Sequence, residues 1–330
     1  MPSLLDPHHP MPEETSMQST SLTVTASDGT PVHVFRWLPD EGVAPKGVVQ
    51  IAHGMAEHAA RYARFGEVLT AAGYAVYASD HRGHGKTAGD LAKAGFFADR
   101  DGWMTVVDDL YAVTRTIRDE QPGLPVFLFG HSMGSMLSRT YAIKHGAELA
   151  GLILSGTGGD PGMLGKVGQV VAAVEAKVRG KSTQSPLLDK MSFGNFNKPF
   201  APARTPFDWL SRDPAEVDAY IADPWCGFVC TAGMFQDLLS GIAFINTDSQ
   251  VARVPQGLPI YLFSGAEDPV GDKTKGVQQV VDQFRRLGVR DVFVRFYLGA
   301  RHEVLNETNR DEVMADVVEW LDDHLPDAAA

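Results

Sequence analysis

Two segments near the start of the chain alternate apolar and polar positions. SLTVTA (21–26) and PVHVFRW (31–37) are rich in β-branched and aromatic residues, and Ser27-Asp28-Gly29-Thr30 between them is a turn signal. They predict an antiparallel hairpin. The pattern then changes: GVVQIAH (47–53), YAVYAS (74–79), PVFLFG (125–130) and GLILSG (151–156) are apolar nearly throughout, as strands buried on both faces are. Helical periodicity predicts helices near 60–72, 103–120 and 133–145 between them. Strand and helix in alternation imply a mostly parallel central sheet with helices on both faces.

The alternation stops at about 157. From there to 250 the chain is helical and irregular, punctuated by Gly158, Gly159, Pro161, Pro186, Pro199, Pro202, Pro206, Pro214 and Pro224. It resumes with LPIYLFSG (258–265), a helix near 273–287, DVFVRFYLG (291–299) and a last helix near 308–324. One α/β core (21–156 and 251–330) interrupted after its sixth strand by a helical cap (157–250) fits this better than two tandem domains. Residues 1–20, rich in Pro, Ser, Glu and His with no apolar period, are expected to form a mobile tail.

Composition narrows the function classes. With 44% apolar residues among 330, the chain is neither disordered, collagen-like nor a simple coiled coil. It has no uninterrupted apolar run of about 18 residues, the minimum for a spanning helix. MPSLLDPHHPMPEE is a poor signal peptide, because no basic segment precedes an apolar one. Two cysteines, Cys226 and Cys230, fit a reducing compartment, and a cytoplasmic location is the expectation. The net charge of −12 repels phosphate backbones, so no nucleic-acid partner is expected.

The chemistry centres on GHSMGS. Gly130, Ser132 and Gly134 form G-x-S-x-G between a predicted buried strand and a helix. The bare pattern is weak in a chain with 33 glycines; the strand before it and the helix after it give it meaning. Such a turn forces serine into strained backbone angles and lifts its hydroxyl above the sheet edge. A serine also needs a base and an orienting acid. In this arrangement the chain order is serine, acid, histidine, with each partner after a later strand. Asp268 follows YLFSG, and His302 follows FVRFYLG. Glu267 and Asp272 share the acid loop and remain alternatives, while His324, in the last turn of the final helix, suits a dipole-compensating role. Backbone N–H groups of Met133, at the start of the helix, and Met55, after the strand GVVQIAH, are the candidate oxyanion donors.

HGMAEHAARY (53–62), DHRGHGKT (80–87), GHSMGS (130–135), GAEDPVG (265–271) and ARHEVLNE (300–307) resemble segments of the α/β-hydrolase fold. More narrowly they resemble its monoacylglycerol lipase and lysophospholipase-like serine hydrolases, over about residues 22–325. DPWCGF (223–228) resembles a cap segment of bacterial members. The resemblance implies a triad on Ser132, Asp268 and His302, an oxyanion loop at His53-Gly54-Met55 and a variable cap. It therefore fixes the reaction better than the substrate.

Other signals have plainer uses. Gly85-Lys86-Thr87 looks like the end of a phosphate-binding loop, but Asp80 stands where that motif needs glycine. Asp80, His81 and His84, with His53 and His58, lack clean metal-ligand spacing and suit a hydrogen-bonded turn. Cys226 and Cys230, four apart, could share a helix face inside the cap. Met163, Val167, Val170, Val171, Val174 and Val178 have helical spacing; they suit a helix packed over the core, or a lid whose apolar face meets acyl chains or a lipid surface. Phe193, Phe196, Phe200, Phe207 and Trp209 could line an acyl pocket or fill the cap interior.

The expectation is a serine hydrolase that cleaves carboxylic esters of lipid-like substrates through an acyl-enzyme on Ser132, with no cofactor and no metal. The competitors are a short-chain carboxylesterase, an amide or peptide hydrolase or an acyltransferase on the same residues, and a ligand receptor retaining the fold. An epoxide or haloalkane hydrolase would need aspartate at position 132.

Overall fold

The computed structural model describes residues 17–326. Eight strands form one sheet in the order β1-β2-β4-β3-β5-β6-β7-β8. The hairpin of β1 (Gln18–Thr25) and β2 (Pro31–Leu38) lies at one edge, and β2 runs antiparallel to its other neighbour, β4 (Tyr74–Ser79). From β4 onward the sheet is parallel through β3 (Gly47–Ala52), β5 (Val126–His131), β6 (Gly151–Ser155), β7 (Ile260–Gly265) and β8 (Val292–Tyr297). β1 starts within the segment expected to be a tail, because Gln18, Ser19 and Thr20 pair in register with Leu38, Trp37 and Arg36. Polar residues can extend a ladder through backbone bonds that no hydrophobic period reveals. The rest of the expected tail, 1–16, lies outside the described residues.

The helices are α1 (Ala63–Ala71), α2 (Gly85–Ala88), α3 (Gly102–Glu120), α4 (Met133–His145), α5 (Gly162–Arg179), α6 (Pro186–Phe193), α7 (Pro214–Ala222), α8 (Ala232–Ile245), α9 (Asp248–Val251), α10 (Lys275–Arg286) and α11 (Arg310–Asp323). Alternation along the strands decides which helices each face receives. Phe127, Phe129, Ile153 and Phe263 pack with α1 and α11, through Phe65, Leu69, Val317 and Leu321. Leu128, Leu152, Leu154 and Leu262 point the other way, onto α3, α4 and α10.

Helices α5–α9 lie between β6 and β7 in the chain. Ser185 caps α6 by accepting from the Leu188 amide, and Thr231 caps α8 by accepting from that of Met234. Here two expectations are corrected. Of the methionine and valines of α5 only Val171 packs against the core: Met163, Val170 and Val178 are 73%, 65% and 77% exposed, while Gly168, Ala172, Glu175 and Ala176 face inward. Small residues win the inner face because they let helix backbones approach closely, and Gly168 lies against Leu239 of α8. The two cysteines share no helix face either, since Pro224 and Gly227 (φ 67°) break the chain between α7 and α8 and leave Cys226 in a turn. Both cysteines are buried and free. No helix among the described residues is long and apolar enough to cross a membrane.

Phe129 is fully buried in the middle of β5 and packs on Tyr62, Phe65 and Phe263. Phe129→Ala should cost about 3–5 kcal/mol in a urea unfolding measurement; a loss below about 1 kcal/mol would contradict this packing.

Candidate active site

The chain reverses sharply at Ser132, between the last residue of β5 and the first of α4. Ser132 has φ 52° and ψ −118°, a region that side chains other than hydrogen rarely occupy. A Cβ at Gly134 would lie 2.0 Å from the Ala52 carbonyl oxygen, and one at Gly130 2.4 Å from the Gly134 carbonyl oxygen. Only glycine lets β3, β5 and α4 converge this closely. The Ser132 amide donates to the Ser155 carbonyl on β6, and the Ser132 carbonyl accepts from the Ser135 amide. Neither the Met133 nor the Met55 amide donates to an acceptor among the described residues, so both remain available to an oxyanion.

The loop after β7 carries Asp268, which is fully buried. Its carboxylate accepts from the Ser264 hydroxyl at 3.1 Å and the Val270 amide at 2.9 Å, and it contacts His302 Nδ1 at 2.9 Å. Burial alone would lower the His302 pKa, but the adjacent Asp268 carboxylate outweighs it, so the value is raised. The other candidates lie elsewhere: Glu267 pairs with Lys273, Asp272 lies beside Lys275, and His324 contacts the Trp320 carbonyl and Asp291. Ser132 and His302 line the same cavity, although the serine hydroxyl forms no hydrogen bond with the imidazole. His302 is flanked by Trp209 and His131, with ring centroids 5.1 and 4.7 Å away. Burial and the neighbouring His302 push His131 down to about 4, so His131 is neutral near pH 7.

A buried ionic bridge connects the loop holding Met55 to the loop holding His302. Arg61 contacts Glu57 at 2.6 Å and grips both carboxylate oxygens of Glu303 at 2.8 Å. Glu57 also accepts from the Gly54 amide and the Tyr62 hydroxyl. On the far side of the same loop, the Ala56 amide donates to His84 Nε2, and the Ala56 carbonyl accepts from the Tyr220 hydroxyl and the Gly227 amide, each at 2.9 Å. His53, His81 and His84 are buried and shifted below the ordinary imidazole value by desolvation. They serve as neutral hydrogen-bonding groups in this turn, with Asp80 accepting from the Ala59 and Lys86 amides. His58 contacts Asp223 at 2.8 Å, and Cys226 lies within 4.8 Å of both. The segment between α6 and α7 is tied to the histidine loop as well: the Glu303 amide donates to the Leu210 carbonyl at 2.7 Å, and that of His302 to Trp209 at 3.4 Å.

Two chambers meet at Ser132 and Met55. One, of about 340 Å³, is apolar and lined by Met133, Leu188, Phe193, Phe196, Leu238 and Val270 among others. The other, of about 290 Å³, contains His302, Glu57, Glu303, Tyr220, Trp209 and Asp189. Of the aromatics singled out in the sequence, Phe193 borders both chambers, Phe196 the apolar one, and Phe207 and Trp209 the polar one. Phe200 borders neither and stacks under the Arg301 guanidinium at 4.2 Å. Sequence reasoning overlooked His131, Glu57, Arg61 and Glu303 as parts of the site. His131 and Glu303 adjoin Ser132 and His302 in the chain, a signal that could have found them; the Arg61–Glu303 contact spans 242 positions and leaves no local trace.

A family model described as "Serine aminopeptidase, S33" (Hydrolase_4) matches residues 43–309. A monoacylglycerol lipase of Mycolicibacterium smegmatis is 32% identical over 294 residues, which cover 88% of this chain and 92% of that one. A monoglyceride lipase of Mus musculus is 28% identical over 333 residues, covering 97% and 99% respectively. Among solved structures, a thermostable carboxyl esterase of Bacillus coagulans in complex with glycerol is similar with a TM-score of 0.86 at 32% identity, covering 94% of this chain and 100% of that one.

Replacing Arg61 by methionine leaves Glu57 and Glu303 buried without their cation. Arg61→Met should lower stability by about 3–5 kcal/mol in denaturant unfolding, and an unchanged midpoint would show that the bridge contributes nothing.

Proposed function

The chain belongs to the Hydrolase_4 family of α/β hydrolases and is a carboxylic ester hydrolase; we propose that it cleaves monoacylglycerol-type lipid esters through an acyl-enzyme on Ser132. The observation that carries this reading is the junction of an apolar and a polar chamber at that hydroxyl. A fatty acyl chain takes the apolar chamber and the alcohol takes the polar one, so the scissile carbonyl sits at Ser132 between the Met55 and Met133 amides.

His302 takes the proton of Ser132 as the serine oxygen attacks the carbonyl. Asp268 fixes the imidazole with Nδ1–H toward itself and stabilises the imidazolium that forms. The contact between hydroxyl and imidazole closes once substrate occupies the site, as such contacts do in hydrolytic enzymes. The oxyanion accepts from the amides of Met55 and Met133, which need no reorganisation because no acceptor among the described residues uses them. His302 then protonates the departing alcohol, and water, deprotonated by the same imidazole, releases the acid. No step requires a metal or cofactor.

The helical segment 157–250 acts in this reading as the cap over the site. The outward face of α5, with Met163, Val167, Val170, Val174 and Val178 exposed between 48% and 77%, is its contact with the lipid surface that delivers substrate. Buried free cysteines accord with a reducing, cytoplasmic setting. Lysophospholipids, with their bulkier charged headgroups, are the competing lipid class.

A panel of esters from short to long acyl chains, with 1- and 2-monoacylglycerols and lysophosphatidylcholine, tests the assignment. Long-chain monoacylglycerols should give the highest kcat/KM, and Ser132→Ala should lower kcat by roughly 10⁴-fold or more while folding normally. Fast short-chain cleavage with inert monoacylglycerols would make the protein a plain carboxylesterase. Wild-type turnover by the Ser132→Ala variant would remove the nucleophile.

A further inference from the structure

Three carboxylates line the polar chamber: Glu57, Glu303 and Asp189. The first two are accounted for, since Arg61, Tyr62, Asn306 and the Gly54 amide supply donors to them. Asp189, on the first turn of α6, is half-buried, yet its carboxylate forms neither a hydrogen bond nor an ion pair with any described residue. Desolvation raises its pKa, and no compensating donor offsets that. Lys190 is its neighbour in the chamber lining, but it is exposed and does not pair with it. With Arg61 shared by two carboxylates, the chamber keeps one negative charge in excess even when Lys190 is counted. Asp189 is not among the buried side-chain groups that lack a partner, so water can serve its carboxylate in the open chamber; a substrate that displaces that water must bring donors of its own.

We propose that Asp189 determines specificity for the alcohol half of the substrate, accepting hydrogen bonds from the free hydroxyls of a neutral polyol ester and repelling anionic headgroups. This rests on the assignment of Ser132 and of the polar chamber above, and it adds a residue and a charge criterion to that reading. The alcohol is the part of the ester that must occupy this chamber when the acyl chain fills the apolar one. A methyl ester offers Asp189 no donor. A glycerol ester offers hydroxyls, and a phosphate-bearing glycerol ester adds a charge of the wrong sign. The first-turn position also permits a simpler role, in which the carboxylate compensates the amino-terminal end of α6. That role would stabilise the cap without regard to the alcohol.

The two roles separate when kcat/KM is measured for a 1-monoacylglycerol, the methyl ester of the same acid and the corresponding lysophosphatidic acid. The wild type, Asp189→Ala and Asp189→Asn are compared, with stability followed by thermal unfolding. In the wild type the glycerol ester should be preferred over the methyl ester. Asp189→Ala should reduce that preference about tenfold, the scale of losing one or two charge-assisted hydrogen bonds. Asp189→Asn, which keeps an acceptor and loses the charge, should recover part of the preference and raise activity on lysophosphatidic acid. Because each ratio is taken within one variant, a loss of folded protein cancels. A glycerol-to-methyl ratio unchanged in Asp189→Ala would overturn the inference and leave the monoacylglycerol assignment standing. A wild type with no preference for the glycerol ester would overturn both together.

Discussion

The backbone reversal at Ser132 is the constraint on which the site depends. A strand must end, turn through φ 52° and enter a helix within one residue, while β3 passes close beside it. The strain is tolerated because sheet and helix over-determine the turn. Ladder bonds hold β5 to β3 and β6, and the Ser132 amide and carbonyl are both engaged, by Ser155 and Ser135. With both groups engaged in this way, the reversal holds Ser132 at the junction of strand and helix, and the Met133 amide that follows donates to no acceptor among the described residues.

Elsewhere the site is assembled from loops, and loops need ties. Arg61 supplies the main one, drawing the segment with Met55 and the segment with His302 onto a single guanidinium. A second set binds the region between α6 and α7 to the histidine loop, through the backbone of Trp209 and Leu210 and through Arg301, whose guanidinium donates to the Asp208 and Ser211 carbonyls. The imidazole is therefore located by Asp268 from below and by this inserted segment from above. Helices α5 and α6, which wall the apolar chamber and expose hydrophobic surface, are tied instead to α8 and its flank, through Gln169 on the Leu239 carbonyl and the Ser185 amide on the Cys230 carbonyl.

Much of this was legible in the residues. Continuous apolar strands, turn glycines and the order serine–acid–histidine announced the α/β sheet and the three loops, because burial on two faces and a forced turn leave local marks. The acid loop offered Asp268 first and left Glu267 and Asp272 open beside it; the fold buries Asp268 against His302 and leaves the other two paired with lysines at the surface. Helix α5 misled for a different reason. Its methionine and valines suited either a packing face or an outward lid face, because spacing reports amphipathicity and not which side is wet; apart from Val171, the inner side went to Gly168, Ala172, Glu175 and Ala176. The Glu57–Arg61–Glu303 bridge and the half-buried Asp189 were invisible, since an ion pair across 242 positions or a missing partner leaves no trace along a chain.

The proposed reaction requires alcohol, imidazole and carboxylate to act in series at Ser132, His302 and Asp268. It is tested most directly by the rate and site of labelling with a fluorophosphonate between pH 5 and 9, with the adduct located by mass spectrometry. One adduct per chain, on Ser132, is the expected result. The labelling rate should fall on the acid side with a midpoint above the ordinary imidazole value of 6.5, because Asp268 favours the protonated ring. An adduct on another residue, or a rate on Ser132 indifferent to pH across that range, would contradict it.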